Sequence, residues 1–222
     1  MCDFREVPGV QRPSACGNGK TSTMVNILYQ EFIQKNAIIV TNFHTRHLGM
    51  EFGTPSWTTY MTSQEIFDRW FELDEGTVIG ITELQSLLNS AARNSKLIAY
   101  IEKCLQQRRK SEFTIVWDSQ ELGSGDKRWR DATDFIYRPV KYHCRWDSEE
   151  NMFLPTDPCP LDICPERHQI FVYQEKPIPG TIKEMLKPVM IFNSWEIGQL
   201  FNTKEKMEDT LSYNPRWADA TA

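Results

Sequence analysis

Three short runs of apolar, largely β-branched residues punctuate this chain: AIIVTNF (37–43), TVIGIT (77–82) and FTIVWDSQ (113–120). Such a run has no polar side to turn to water, so each predicts a strand buried on both faces. The stretches between them carry a helical period instead. TMVNILYQEFIQK puts Met24, Ile27, Leu28 and Phe32 on one stripe, and Asn36 ends that helix. TSQEIFDRWFEL opens with a capping-box pattern, Thr62 or Ser63 followed by Glu65, and sets Ile66, Trp70 and Phe71 on one side. ELQSLLN continues from the second strand as helix-like sequence. NSKLIAYIEKCLQQRRK repeats apolar residues at 97, 98, 101, 104 and 105. Strands alternating with helices of about ten or more residues predict an α/β fold, a mainly parallel sheet with helices packed around it. ATDFIYRPVKY (132–142) predicts a further strand of this series.

From about residue 145 the rhythm breaks. Prolines at 155, 158, 160, 165, 177, 179 and 188 interrupt the chain, and HQIFVYQ (168–174) is the one good strand. SWEIGQLFNTKEKMED predicts a short closing helix. The expected organisation is a core over residues 1–143 and an irregular, β-containing extension over 144–222 packed on it. Six cysteines follow no regular spacing. Cys104 falls on an apolar helix face, where a thiol packs as a small hydrophobe. Cys144, Cys159 and Cys164 with His168 admit two readings, a zinc site at the edge of structural spacing or reduced cysteines in a compact segment.

The stretch SACGNGKTS (14–22) precedes the first helix and ends as a phosphate loop ends. In the pattern G-x-x-x-x-G-K-[ST], backbone N–H groups and the helix N-terminus cradle phosphates, the lysine neutralises the terminal phosphates and the hydroxyl ligates Mg2+. Gly19, Lys20 and Thr21 fill the last three places, while Ser14 stands at the first glycine and Gly17 lies within the loop. PGVQRPS upstream is a poor strand. Ser14, Gly17, Asn18, Gly19, Lys20, Thr21 and Ser22 are the candidate nucleotide contacts, with ATP and Mg2+ the expected ligands.

Two strand tips add to this. Glu83 follows TVIGIT directly, where a carboxylate can orient or deprotonate a water; it also suits the start of a helix. Thr82 occupies the neighbouring metal-associated position and can bond a metal-bound water, but it brings no negative charge. Gln120 ends the third strand, where an amide can sense a γ-phosphate. Arg109 closes a helix between Arg108 and Lys110; a guanidinium there can serve as a finger on transferring phosphate, and cations also suit a helix C-terminus.

KNAIIVTNF, GTVIGITELQSLLNS, LQQRRKSEFTIVWDSQ and DKRWRDATDFIYRP, in that order, resemble the FtsK–HerA superfamily of P-loop ATPases, most of all its viral branch of archaeal virus packaging and Zot-like proteins. FNTKEKM is similar to a short element near the end of the Zot-like domain. The resemblance covers roughly residues 14–142 well and the rest thinly. It implies that Lys20 and Thr21 are the Walker A lysine and metal hydroxyl, Glu83 the catalytic carboxylate, Gln120 the polar sensor and Arg109 the arginine finger. Ser14, Thr82 and the poor strand before the loop depart from the family pattern. It further implies a homo-oligomeric ring, usually a hexamer, acting on double-stranded DNA in the host cytoplasm or the virion and docking onto a capsid or virion membrane protein.

Net charge is −5, so no global basic field draws this chain to nucleic acid and DNA contact must be local. GSGDKRWRD (123–131) gathers Lys127, Arg128 and Arg130 around Trp129 between flexible glycines, which suits phosphate-backbone contact; Arg130 and Asp131 could equally pair within the subunit. MCDFREVPGVQRP, broken by charge and proline, does not read as a secretory signal, and no run reaches the roughly 18 apolar residues of a membrane span. The chain thus reads as intracellular. Three functions compete: a motor that loads a viral genome into a preformed capsid, a Zot-like ATPase that extrudes virions, and a nucleotide-binding scaffold without turnover. The Zot-like class generally carries a membrane span, which ranks it below the motor.

Overall fold

The computed structural model describes residues 19–47, 56–84, 95–118, 132–149, 152–158, 168–175, 188–201 and residue 215. Each of the three apolar runs contains a strand: β1 (Ile39–Thr41), β3 (Val78–Ile81) and β4 (Thr114–Trp117). A two-residue strand that the sequence did not announce, β2 (Thr59–Tyr60), adds an exposed edge. The order is β2-β1-β3-β4 and every pairing is parallel. β1 and β3 are wholly buried and β4 is buried in its second half, as a parallel sheet covered on both faces requires of its inner strands.

Alternation along the strands divides the core in two. Ile39, Val78 and Val116 pack with Met24, Val25 and Leu28 of α1 (Lys20–Lys35). Val40, Ile79, Ile81 and Trp117 take the other face, against α2 (Ser63–Asp68), the 3-10 turn Trp70–Glu72 and α3 (Ser95–Gln107). Asn36 ends α1 in the left-handed conformation at φ 51°, as its position in the sequence suggests. Thr62 caps α2 in a full capping box: its hydroxyl accepts from the Glu65 N–H at 3.2 Å, and the Glu65 carboxylate accepts from the Thr62 N–H at 2.8 Å. The expected face of α2 needs a correction. The helix stops at Asp68 and tightens into the 3-10 turn, which shifts the phase of the residues beyond it. Phe67, within the helix, is buried beside Ile66 and Trp70, and beyond the shift Phe71 is 41% exposed.

Cys104 packs in the α3 core as the sequence implied, and burial pushes its thiol up to about 12. The Tyr100 hydroxyl donates to the Phe67 carbonyl at 2.6 Å, tying α3 to α2.

Residues 136–142 do not extend the parallel sheet. They open β5 (Ile136–Asp147), which pairs antiparallel with β6 (Met152–Pro158) and β7 (His168–Glu175); β8 (Met190–Asn193) pairs with β7 in turn. The order is β6-β5-β7-β8. Residues 143 and 144 both lie inside β5, so the change of sheet comes at Ile136, ahead of the 144 boundary that proline content suggested. The region holds more strand than HQIFVYQ alone. Pro155 and Pro158 sit in β6, an edge strand of this sheet, where proline is better tolerated than in a central strand.

The chain then folds back. A short helix, α4 (Ser194–Gly198), begins with the Asn193 side chain accepting from the Trp195 N–H. It brings Ile197, Leu200 and Phe201 onto the α1 face of the parallel sheet. The Arg46 N–H and guanidinium Nε donate to the Leu200 and Gln199 carbonyls at 2.9 and 2.6 Å. No described helix is long and apolar enough to cross a membrane.

Gly80 sets how closely α1 can lie on the sheet. A Cβ there would come within 2.5 Å of Leu28 Cδ1 and 3.1 Å of Thr41 Cγ2, so the fully buried Leu28 would have to shift. Gly80→Ala should lower the unfolding free energy by about 1–3 kcal/mol through overpacking. In denaturant titrations, Leu28→Val in the same chain should recover part of that loss, because the two side chains compete for one volume.

Candidate functional site

Parallel pairing aligns the carboxyl ends of β1, β3 and β4, where ligands bind in open α/β sheets. Each of these strands ends on a polar residue: Asn42 after β1, Thr82 and Glu83 after β3, Asp118 after β4. The register makes them neighbours. Thr41 lies opposite Gly80 and Ile81 opposite Trp117, and the ladder runs on through Asn42 N–H to the Gly80 carbonyl and Asp118 N–H to the Ile81 carbonyl.

Asp118 is the centre of this group. It is 2% exposed, and both carboxylate oxygens are engaged. Oδ1 accepts from the Thr82 hydroxyl at 2.9 Å and the Glu83 N–H at 2.8 Å; Oδ2 accepts from the Thr21 hydroxyl at 2.8 Å. A buried carboxylate needs such donors to offset its lost hydration. These three come from the start of α1 and the tip of β3, so one side chain holds both segments against β4.

Asn42 clamps the β3 tip from the other side. Its Oδ1 accepts from the Thr82 N–H at 2.9 Å, while Nδ2 donates to Ser63 Oγ at 3.0 Å and to the Thr82 carbonyl at 3.3 Å. Thr82 is thus held through its backbone by Asn42 and through its hydroxyl by Asp118. The clamp carries strain with it. Glu83 sits at φ 52°, a left-handed conformation that costs a residue with a Cβ about 1–2 kcal/mol. Its N–H bond to Asp118 helps hold it there, and its side chain is partly exposed at the tip.

Opposite these tips, α1 begins. Gly19 stands at φ 85°, where glycine is at ease, and its carbonyl accepts from both the N–H and hydroxyl of Thr23 at 2.8 Å. Ile170 of β7 closes on it so tightly that a Cβ would lie 2.7 Å from Ile170 Cδ1. Lys20, Thr21 and Ser22 form the first turn, partly exposed, and no acidic residue of the helix occupies that turn. A helix start whose first turn carries no acid of its own has a positive dipole end that suits an anion.

The expected site residues divide accordingly. Gly19, Lys20, Thr21, Ser22, Thr82 and Glu83 come together at one end of the sheet. Arg109 does not join them: it lies in the turn before β4, whereas Asp118 follows the other end of that strand, about 13 Å from its start at ~3.3 Å per residue. Its side chain is 78% exposed and reaches Asp134 Oδ1 at 3.5 Å, while the more buried Arg108 meets Asp134 Oδ2 at 3.2 Å. Ser14, Gly17, Asn18, Gln120, Lys127, Arg128 and Arg130 lie outside the described residues, as do Cys159 and Cys164. Cys144 belongs to β5, and His168 lies opposite His143 where β5 pairs with β7. Among the described residues no group of three or more His, Cys, Asp or Glu is placed to hold a metal.

Asp118 and Asn42 were not singled out by sequence; position near a strand tip was the one signal, and it does not say which side chain faces the junction. Each is the residue directly after its strand, close to the position that marked Glu83.

Asn42→Ala should leave the Thr82 N–H buried without a partner, at a cost of about 1–3 kcal/mol in unfolding free energy. Ser63→Ala, which removes only one acceptor from the same group, should cost less. Equal losses in the two variants, measured by chemical denaturation, would contradict the clamp. Comparison of the chain with protein-family models, with curated proteins and with solved structures finds no match in any of the three.

Proposed function

We propose that this chain binds and hydrolyses ATP with Mg2+, and that it does so as a P-loop motor of the FtsK–HerA kind that moves double-stranded DNA into a viral capsid. One observation carries the nucleotide part: the glycine–lysine–threonine start of α1 faces the β3 and β4 tips, where Thr21, Thr82 and Glu83 meet on Asp118. In this reading the first turn of α1 and Lys20 take the phosphates, and Glu83 takes the proton of an attacking water. The strained Glu83 backbone fits that role, since such conformations gather at functional sites.

The donor set suits magnesium. The Thr21 and Thr82 hydroxyls at this point are oxygen donors, and Mg2+ favours oxygen ligands beside substrate phosphates. Bound there, the ion would neutralise charge on the transferring phosphoryl group.

The motor part rests on the sequence. GSGDKRWRD supplies the local cations, and the order of segments resembles the viral packaging branch. An exposed Arg109 far from its own subunit's site is consistent with a finger offered to a neighbour in a ring.

Mg2+-dependent ATP hydrolysis, measured with and without double-stranded DNA, tests this. Lys20→Ala should abolish turnover. Glu83→Gln should retain ATP binding and lose about 100-fold or more in rate, and Arg109→Ala should lose about 1000-fold. A wild-type rate in Glu83→Gln would remove the catalytic assignment. Nucleotide binding without turnover, with DNA present, would favour a scaffold.

A further inference from the structure

Thr82 stands where a phosphate-loop site of this kind carries its metal-associated acid, and threonine has no charge. We infer that Asp118, one strand over, supplies that charge and holds the Mg2+ of the bound nucleotide through Thr21. This rests on the nucleotide reading of the site and adds a residue that reading does not require.

The hydrogen-bond directions support it. Asp118 Oδ2 accepts the Thr21 proton at 2.8 Å, which leaves the lone pairs of the Thr21 oxygen available to a cation. Oδ1 is taken by the Thr82 hydroxyl and the Glu83 N–H, so Oδ2 is the oxygen with capacity to spare. Both Asp118 and Thr82 are buried, at 2% and 6% exposure, while Thr21 and Glu83 are partly exposed and line the approach.

Electrostatics gives a second, independent reason. A buried carboxylate one hydrogen bond from the helix start would repel the phosphates which that helix start attracts. At close range and low dielectric this repulsion is large, and a divalent cation between the two anions turns it into attraction. The site therefore favours metal-bound nucleotide over metal-free nucleotide, and Asp118 is the group that sets the preference. Thr82 contributes a donor that steers Oδ1 away from the metal and toward the β3 tip.

Asp118→Asn is the decisive substitution, because an amide can keep the three bonds. Its oxygen accepts from Thr82 and Glu83, and its NH2 donates to Thr21. Binding of a non-hydrolysable ATP analogue to the full chain is measured by calorimetry in Mg2+ and in EDTA, and Mn2+ affinity of the complex by electron paramagnetic resonance. Asp118→Asn should lose about 10–100-fold in Mn2+ affinity, while metal-free analogue binds as tightly as to wild type or tighter. Thr82→Asp combined with Asp118→Asn, which moves the carboxylate back to β3, should restore the metal preference. A merely structural Asp118 would weaken both forms of nucleotide equally, and that result overturns the inference; so does an unchanged metal preference in Asp118→Asn. If Asp118→Asn fails to fold, wild type with carboxyl-13C aspartate answers the same question: coupling of bound Mn2+ to an aspartate carboxylate is expected, and its absence overturns the assignment. A wild-type chain that binds no analogue in either condition would overturn the nucleotide reading itself, a distinct outcome.

Discussion

The carboxylate of Asp118 is the interaction on which this end of the molecule depends. A buried anion is tolerated only when donors surround it, and these donors are contributed by separate stretches of chain: the first turn of α1 and the tip of β3. The sheet register makes this possible. With Ile81 opposite Trp117, the next residues, Thr82 and Asp118, are side by side. A slip of one residue would turn Asp118 to the other face and empty the junction. Gly80 then admits α1 closely enough for Thr21 to reach across. Packing, register and the polar junction are thus a single arrangement.

Much of that arrangement is legible in the residues. Continuous apolar runs located β1, β3 and β4, and the 3.6-residue period located α1 and α3, because burial on two faces or on one leaves an unambiguous pattern. The capping box at Thr62 and the stop at Asn36 came from local chemistry alone. Elsewhere the pattern ran out. Proline content pointed to an irregular extension from 144, yet Ile136–Asp147 belongs to one long strand paired with β7, since pairing partners far along the chain decide strand identity there. Phe71 escaped for a similar reason: a helix ending in a 3-10 turn shifts phase, and periodicity cannot announce where it ends.

The candidate site was half legible. Gly19, Lys20, Thr21 and Glu83 stand out as residues, but their meeting point does not. Nothing in FTIVWDSQ by itself favours Asp118 over Gln120; that choice depends on which side chain the register turns toward Thr82. Asn42 was harder still, because its role is to hold a backbone. A hydrogen-bond partner forty residues away leaves no local trace in sequence. The junction also accounts for Thr82: a neutral residue is acceptable beside an adjacent strand that carries the charge, and a second acid there would meet Asp118 directly.

The proposed site for metal-bound phosphate, between the start of α1 and the tips of β3 and β4, is defined by position. Crystals of the chain grown with Mn2+ and a non-hydrolysable ATP analogue, with anomalous diffraction at the manganese edge, test it most directly. A manganese peak is expected beside Thr21 Oγ and Asp118 Oδ2, with phosphates over the Gly19–Thr21 N–H groups. Manganese and analogue bound elsewhere, with the Thr21–Asp118 bond undisturbed and no phosphate at the helix start, would contradict it.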